Sequence, residues 1–448
     1  MWYLCKSMSD GNSGSSGEVK RNEAFWSKRI LRFIFTEQRK DRCIVNEIQT
    51  DPEKLQTFPG YLNERHRKMK FLFASDSFKG SLTSEKIGEL LTGEAKKVFP
   101  DCVCEVFPVA DGGEGTVRAV VASSGGQLRT VKVHGPLFEE REAVYGILPD
   151  GSAVIEMAEA SGLPLVPVSR RNPWNTTSFG TGELIADALE QGCERLVIAI
   201  GGSASNDGGM GAMRALGARF LDADGMELMG TGADLERVCR IDTAGLHPGV
   251  KNTVFTVMCD VDNPLLGPDG ATHTFGPQKG ADAALVSRLE RGMCRYAKAL
   301  EDRFGREVAS VPGAGAAGGL GAALLVFLGA SMQSGIEAVL ELLHFDEHLN
   351  GVDLVITGEG RMDWQSAHGK VPSGIGRHCV KQGIPVLALV GGIGPGAEAL
   401  YEQGITGILS TTPEPMALDV ALERAEELYR AAAERMFRVL RTGMTVGR

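Results

Sequence analysis

The stretch GGSASNDGGMG at 201–211, which continues the apolar run RLVIAIGG (195–202), decides how this chain folds. The apolar run predicts a buried strand, and MGAMRALGARF after it predicts a helix. Five of the eleven residues are glycine, which lets the backbone adopt positive φ and lets a ligand approach the main chain closely. A strand, a glycine-rich turn and a helix start together suit an anion such as a phosphate. A tight turn that binds nothing is the alternative.

Further apolar runs alternate with helical patterns from residue 69 onward. The predicted strands include KFLFASD (70–76), CVCEVFPVAD (102–111), GSAVIEMAEA (151–160), NTVFTVMCD (252–260), VDLVITGEG (352–360) and IPVLALVGG (384–392). Near-continuous apolar strands separated by helices are typical of parallel sheets covered on both faces. The sequence therefore predicts an α/β protein.

The composition limits the classes of function. A chain of 448 residues is long enough for two domains, and its formal charge of −10 gives no sign of a nucleic-acid partner. No apolar segment reaches the ~18 residues of a membrane span. The nine cysteines have neither zinc spacing nor a disulfide framework, so we expect a cytoplasmic protein. A homo-oligomer is left open.

Residues 1–68 differ from the rest of the chain. NSGSSGE resembles a linker, and RNEAFWSKRILRFIFTEQRKDR is basic and aromatic. We expect a flexible extension without chemistry of its own, such as an over-extended start. A short amphipathic interaction helix at 24–36 is the functional alternative.

Acidic residues follow several of the predicted strands: Asp76, Asp111, Glu159, Asp260 and Glu359. In open α/β sheets, ligands bind beyond the carboxyl ends of the strands. Acids gathered on such an edge would repel one another unless a cation were bound there, so we expect a cation site. The alternative is that each acid caps a helix or closes a turn.

The segments around these acids contain what phosphoryl transfer needs: main-chain amides and lysines for phosphates, and carboxylates for a metal and for the attacking hydroxyl. A formal G-x-G-x-x-G within GAGAAGGLG (313–321) is a competing signal for a dinucleotide site, but REVASVP before it is a poor strand. The chain has no G-x-x-x-x-G-K-[ST], so a nucleotide site here is not a P-loop.

The motifs together closely resemble the type I glycerate kinase family. They occur in the family's order and cover 69 to about 435: DSFKGSL (76–82), PVADGGEGT (108–116), EMAEASGL (156–163), TTSFGTGELI (176–185), GGSASNDGGMGAMRALG (201–217), CDVDNPLLG (259–267), FGPQKGA (275–281), GAGAAGGLG (313–321) and VDLVITGEGRMDWQS (352–366). Ser205 stands where we expect threonine more often, and residues 1–68 lie outside the resemblance.

The resemblance implies phosphorylation of D-glycerate by ATP with Mg²⁺, giving 2-phosphoglycerate; 3-phosphoglycerate is the alternative product. It also implies two three-layer α/β domains with mainly parallel sheets and the active site in the cleft between them. One domain, flavodoxin-like, comprises 69–129 and 296–448, and the other is inserted at 130–295.

We assign roles to individual residues as hypotheses. Asp207 orients the attacking hydroxyl, and Asn206 and Lys79 are the other catalytic candidates. Lys79 and Lys279 are candidates for binding the glycerate carboxylate or the ATP phosphates. Mg²⁺ is held by Asp76, Asp111 and Asp260, in part through water. The candidates for binding substrate or nucleotide are Ser77, Gly80, Ser81, Gly112, Gly113, Glu114, Thr181, Gly202, Ser203, Lys279, Gly315, Gly318 and Glu359. The GAGAAGGLG turn is expected to close around the nucleotide. An NAD-dependent hydroxy-acid oxidoreductase and a sensor without turnover are the remaining function classes.

Overall fold

Two sheets of mainly parallel strands carry the fold. The computed structural model describes residues 68–109, 115–367 and 369–446. Its strands are β1 (Lys70–Ser75), β2 (Val103–Val106), β3 (Gln127–His134), β4 (Glu140–Ile147), β5 (Ala153–Glu156), β6 (Arg195–Ala199), β7 (Arg219–Leu221), β8 (Arg240–Asp242), β9 (Val254–Met258), β10 (Ser331–Gln333), β11 (Leu354–Gly358), β12 (Arg361–Met362), β13 (Val386–Val390), β14 (Gly392–Ile393) and β15 (Ile405–Ser410).

Helices follow most of these strands along the chain. The α-helices are α1 (Ser84–Val98), α2 (Thr116–Ser124), α3 (Ala158–Ser161), α4 (Phe179–Glu190), α5 (Met210–Ala215), α6 (Ala271–Phe275), α7 (Ala283–Phe304), α8 (Leu320–Phe327), α9 (Gly335–Leu342), α10 (Phe345–His348), α11 (Val371–Gln382), α12 (Leu418–Glu423) and α13 (Ala425–Val446). The α/β class with mainly parallel sheets that the sequence predicts is confirmed.

The five-stranded sheet has the order β15-β13-β11-β1-β2, and all its pairs are parallel. Phe71, Leu72 and Phe73 of β1 are completely or almost completely buried. Both faces of a central parallel strand are covered, which is why its sequence is continuously apolar. This sheet takes two strands from residues 70–106 and three from 354–410.

The six-stranded sheet has the order β10-β9-β6-β5-β4-β3. β5, β6, β9 and β10 pair in parallel, whereas β3, β4 and β5 pair antiparallel. The sequence did not predict the β3–β4 hairpin, because QLRTVKVH (127–134) alternates polar and apolar residues and is largely exposed on one side.

Helix ends are set by local sequence signals. Asp282 caps α7, its carboxylate accepting a hydrogen bond from the Leu285 amide at 2.8 Å, and Gly305 ends the same helix at φ +65°. The hydroxyl of Thr83 caps α1 in the same way. These are the ordinary start and stop residues of helices.

Buried side chains form two cores. One joins the six-stranded sheet to α4, α5, α7 and α8. The other contains residues of both sheets together with α2, α9 and α11. Helices thus pack on the sheets on both sides, as the continuously apolar central strands require.

The chain divides into two units. Met69–Met436 forms one, and Met1–Lys68 with Phe437–Arg448 forms the other, of which the structure describes Lys68 and the end of α13. The domain boundaries at 129/130 and 295/296 stay a prediction; β10, beyond residue 295, belongs to the six-stranded sheet. The extension 1–67, with the alternative interaction helix at 24–36, lies outside the described residues. Within the described ranges, no helix has the length and apolar character needed to cross a bilayer.

Candidate active site

The first part of the candidate site lies at the carboxyl ends of β1 and β11. These strands pair in parallel up to Ser75 and Gly358, and the Asp76 amide donates to the carbonyl oxygen of Gly358 at 2.9 Å. Asp76 and Glu359 therefore leave the sheet side by side. The parallel pairing explains how two predicted acids, far apart in the sequence, reach one edge.

Glu359 is the most unusual acid on this edge. Its side chain is almost completely buried, and Oε1 has no hydrogen-bond partner among the described residues. Burial raises the pKa of Glu359, and the negative charge of Asp76 raises it further, whereas Ser366 and the ammonium of Lys370 lower it. Lys370 Nζ lies 3.6 Å from Glu359 Oε2. The site thus holds a carboxyl group with one uncommitted oxygen.

The turn after Asp76 is tightly folded. The amide of Ser77 donates to Asp76 Oδ1 at 2.7 Å, and Ser81 Oγ donates to the Phe78 carbonyl at 3.0 Å. Gly80 at the tip has φ +84°, which favours glycine, and it is exposed together with Lys79. The DSFKGS segment thus presents main chain and a lysine beside Asp76.

The second part of the site lies at the carboxyl ends of β6 and β9, which pair up to Ala199 and Met258. Asp260 follows β9, is exposed, and accepts a hydrogen bond from the Gly335 amide at 2.8 Å through Oδ1. A Cβ built on Gly369 would lie 3.6 Å from this oxygen. Because Gly369 precedes Lys370, Asp260 of one sheet lies near the Glu359–Lys370 pair of the other.

Lys279 lies beneath the GGSASND turn. It is buried, and its Nζ donates to Ser203 Oγ at 2.7 Å and to the Ser205 carbonyl at 2.6 Å. Burial lowers the pKa of Lys279 to about 7, against the opposing effect of the Asp207 charge. Two predicted ligand-binding residues, Lys279 and Ser203, are therefore in direct contact.

Asp207 is completely buried and its oxygens are already hydrogen-bonded. Oδ2 accepts from Ser178 N (2.8 Å), Ser178 Oγ (2.7 Å) and Gly211 N (3.2 Å), and Oδ1 accepts from Gly209 N (3.1 Å). Burial raises the pKa of Asp207, and these hydrogen bonds lower it. In this conformation Asp207 joins the starts of α4 and α5. Its role towards the attacking hydroxyl stays a prediction.

Asn206 is buried next to Asp207. Its Nδ2 donates to Thr272 Oγ1 at 3.2 Å, and its Oδ1 has no partner among the residues that the structure describes. The hydroxyl of Ser205 is equally buried and unpartnered within those ranges. The centre of the turn thus holds two polar atoms that form no hydrogen bond with the part of the chain that the structure describes.

Gly315 and Gly318 contact protein main chain. A Cβ on Gly318 would lie 2.2 Å from the Ser205 carbonyl oxygen, and one on Gly315 would lie 2.1 Å from the Pro264 carbonyl oxygen. The GAGAAGGLG turn therefore packs against the 201–211 turn, and no strand lies between α7 and Gly313. These two glycines make room for the fold itself, and neither the dinucleotide interpretation nor closure around a nucleotide gains support from them.

The remaining predicted residues are distributed as follows. Thr181 is buried and its Oγ1 donates to Ser161 Oγ at 2.8 Å, whereas Gly202 is exposed with φ +75°. Asp111, Gly112, Gly113 and Glu114 lie outside the described residues.

Glu156 is a buried acid that the sequence reasoning missed. It is the last residue of β5, and it accepts from Val117 N at 2.7 Å and Gly115 N at 3.3 Å. It thereby binds the start of α2. Glu159, which the sequence places near this strand end, lies in α3 instead. The end of the apolar run at Glu156 was the available signal.

A cavity of about 560 Å³ lies beside α9, α10 and α11. Its lining includes Ser334, Glu337 and His378, and none of the residues that the sequence singled out. Hydrogen bonds to Glu337 and Asp346 raise the pKa of His378. The strand ends are the more suitable place for the chemistry, because Asp76 and Glu359 leave one sheet side by side and Asp260 of the other sheet lies near them.

Comparisons with known proteins identify the family of this chain. The model of the glycerate kinase family matches residues 71–441. The glycerate 2-kinase of Escherichia coli K12 is 45% identical over 377 residues, 84% of this chain and 99% of that protein. The glycerate kinase of Bacillus subtilis 168 is 46% identical over 366 residues, 82% of this chain and 96% of that protein.

A solved structure shows the same relationship. The crystal structure described as glycerate kinase 2 of Salmonella typhimurium LT2 superposes with a TM-score of 0.76 at 42% identity, covering 85% of this chain and 100% of that one. The region matched by the family model, 71–441, includes every acid and lysine discussed above. The chain belongs to the glycerate kinase family.

Proposed function

We propose that this protein transfers the γ-phosphoryl group of ATP to a hydroxyl of D-glycerate, giving 2-phosphoglycerate and ADP. The observation that carries the proposal is the approach of Asp76, Glu359 and Lys370 at one sheet edge to Asp260 at the other. Phosphoryl transfer depends mainly on positioning and charge compensation. Carboxylates and a lysine at adjoining strand ends provide both.

The donor set fits Mg²⁺, which prefers one or two carboxylates together with phosphate oxygens and water. The mutual repulsion of Asp76 and Glu359 would be relieved by a cation. Among the described residues, no group of three or more His, Cys, Asp or Glu side chains could hold a metal ion. The proposed site therefore requires phosphate oxygens and water as further ligands. Asp76 and Asp260 would hold the ion, with Asp111 as the third candidate. When bound, Mg²⁺ neutralises charge on the phosphates.

The transfer forms a bond between the glycerate hydroxyl oxygen and the γ-phosphorus. It breaks the bond from that phosphorus to the oxygen that leaves with ADP. The hydroxyl proton passes to a carboxylate, and Glu359 is a better candidate than Asp207 because Glu359 Oε1 accepts no hydrogen bond from the described residues. A raised pKa also suits a proton acceptor. Lys370 and Lys79 provide positive charge for the carboxylate of glycerate or for phosphate.

An assay of ADP release with D-glycerate, L-glycerate and glycerol tests the proposal. We expect Mg²⁺-dependent turnover with D-glycerate, and NMR of the product distinguishes 2- from 3-phosphoglycerate. Absence of ADP release with all three acceptors would overturn the kinase assignment. NADH-linked oxidation of glycerate would support the oxidoreductase instead, and binding without turnover would support the sensor.

A pair of variants tests the proton acceptor. Glu359→Gln should lower kcat by about 10²–10⁴-fold while the fold is retained. Glu402→Gln is the matched control, because Glu402 is exposed on the surface. A Glu359→Gln enzyme with normal turnover would exclude Glu359 from this role and leave Asp207 as the candidate.

A further inference from the structure

Three large side chains lie exposed on neighbouring segments: Trp364 (58% exposed), Ile393 (53%) and Tyr401 (52%). Ile393 belongs to β14, whose partner β12 runs into the turn that begins at Trp364. The amide of Trp364 donates to the Pro395 carbonyl at 3.0 Å. The three residues thus share one region, on segments joined by hydrogen bonds.

The segment that carries Trp364 is fixed to the candidate active site at both of its ends. Glu359 and Lys370, which bracket it, form an ion pair with 3.6 Å between Oε2 and Nζ. The amide of Gly391 donates to the Glu359 carbonyl at 3.2 Å. A Cβ on Gly396 would lie 2.7 Å from Trp364 Cβ, so the turn is closely packed at its base. The indole is therefore exposed on an anchored loop, not on a free one.

Positive charge accompanies the indole. The side chain of Arg361 is 71% exposed, and its Nε lies 3.5 Å from Asp363 Oδ2. Its guanidinium is directed along Gly394, where a Cβ would lie 3.3 Å from Nε and Nη2. An exposed aromatic ring next to an exposed guanidinium suits a nucleotide, because bases stack on aromatic faces and phosphates bind arginine.

We propose that Trp364 is the surface on which the purine ring of the nucleotide stacks, and that Arg361 binds its phosphates. This inference rests on the proposed function, since it names where the phosphoryl donor binds. A second protein is the less suitable occupant. Stable protein interfaces bury at least about 1,000 Å², far more than these three side chains offer. The anchored loop, with its exposed indole and the exposed guanidinium of Arg361, instead matches a small ligand that has both a ring and a phosphate.

Two measurements on the full chain test the inference: the Kd for MgADP from calorimetry and the KM for ATP from steady-state kinetics. Trp364→Ala should raise both the Kd for MgADP and the KM for ATP at least about fivefold. The kcat and the KM for D-glycerate should stay within about twofold. Trp364→Phe should restore most of the affinity because it retains a stacking face. Tyr401→Ala is the control, because Tyr401 is about as exposed as Trp364. This variant should leave the affinity for MgADP unchanged.

The outcomes separate this inference from the proposed function. Unchanged MgADP affinity in Trp364→Ala would overturn the inference even if the enzyme phosphorylates D-glycerate normally. Sedimentation showing a dimer that Trp364→Ala dissociates, with unchanged affinity for nucleotide, would overturn it too and assign the residue to an interface between copies. A wild-type chain that binds MgADP through Trp364 without phosphorylating D-glycerate would support the inference and contradict the proposed function.

Discussion

Replacing Lys279 by methionine tests whether a lysine ammonium is buried beneath the GGSASND turn. The side chain is buried, and its Nζ has two close oxygen contacts, with Ser203 and Ser205. Methionine keeps much of the length of the side chain but cannot ionise. The variant therefore removes the titration of this one group and leaves the surrounding packing comparable.

The direction in which pH changes the stability follows from the pKa of Lys279 in the folded protein, about 7, compared with the ordinary 10.5. Below pH 7, Lys279 is charged in both the folded and the unfolded protein, so folding includes the whole free-energy cost of burying the charge. Between pH 7 and 10.5 the unfolded chain binds more protons than the folded one, so this group makes stability rise with pH. Over this whole range the free energy of unfolding rises by about 5 kcal/mol because of Lys279, and about 2 kcal/mol of this rise falls between pH 7.5 and pH 9.

Urea unfolding followed by circular dichroism at pH 7.5 and pH 9 measures the difference. The free energy of unfolding of the wild type should gain about 2 kcal/mol more over this interval than that of Lys279→Met. Groups unaffected by the substitution cancel in this comparison. Tyr296, which together with Lys279 lies near Asp207, has a pKa raised well above 10 and does not titrate in this range.

Lys251→Met is the control for the loss of a lysine, because Lys251 is exposed. It should keep the pH dependence of the wild type. Equal pH dependence in the wild type and in Lys279→Met would refute the reasoning, since the ammonium would then not experience the low-dielectric surroundings that its burial implies.

Three other substitutions have defined outcomes. Gly305→Ala should destabilise the protein by ~1–2 kcal/mol, because alanine is strained in the left-handed conformation. Gly318→Ala should destabilise it more, because its Cβ would also clash with main chain of the 201–211 turn. Equal unfolding midpoints for the two variants would contradict this. Asp207→Asn should lower the free energy of unfolding by about 1–3 kcal/mol, because the asparagine NH₂ group would face a main-chain N–H donor. The kcat of this variant per folded molecule tests whether Asp207 is catalytic. For Glu359→Gln, the pH–rate profile should lose its acidic limb, and a retained limb would assign that limb to another group.

Much of the fold could be predicted from local patterns. Apolar runs marked β1, β6, β9, β11 and β13, because strands buried on both faces must be apolar throughout. The hairpin of β3 and β4 was not predicted, because one of its sides is exposed and its sequence is therefore not continuously apolar. Part of the candidate site follows from the strand pattern: Asp76 and Glu359 lie side by side because the parallel strands before them end at the same edge.

The sequence by itself determined the α/β class, the family and the types of residue available for phosphoryl transfer. These depend on neighbours along the chain: hydrophobic period, glycines in turns, and the order of motifs. Only the tertiary structure decided which of these residues are enclosed. Asp207 is saturated by hydrogen bonds from α4 and α5, whereas Glu359 keeps an uncommitted oxygen. Burial and hydrogen-bond satisfaction arise from residues distant in sequence, so no local pattern distinguishes these two carboxylates.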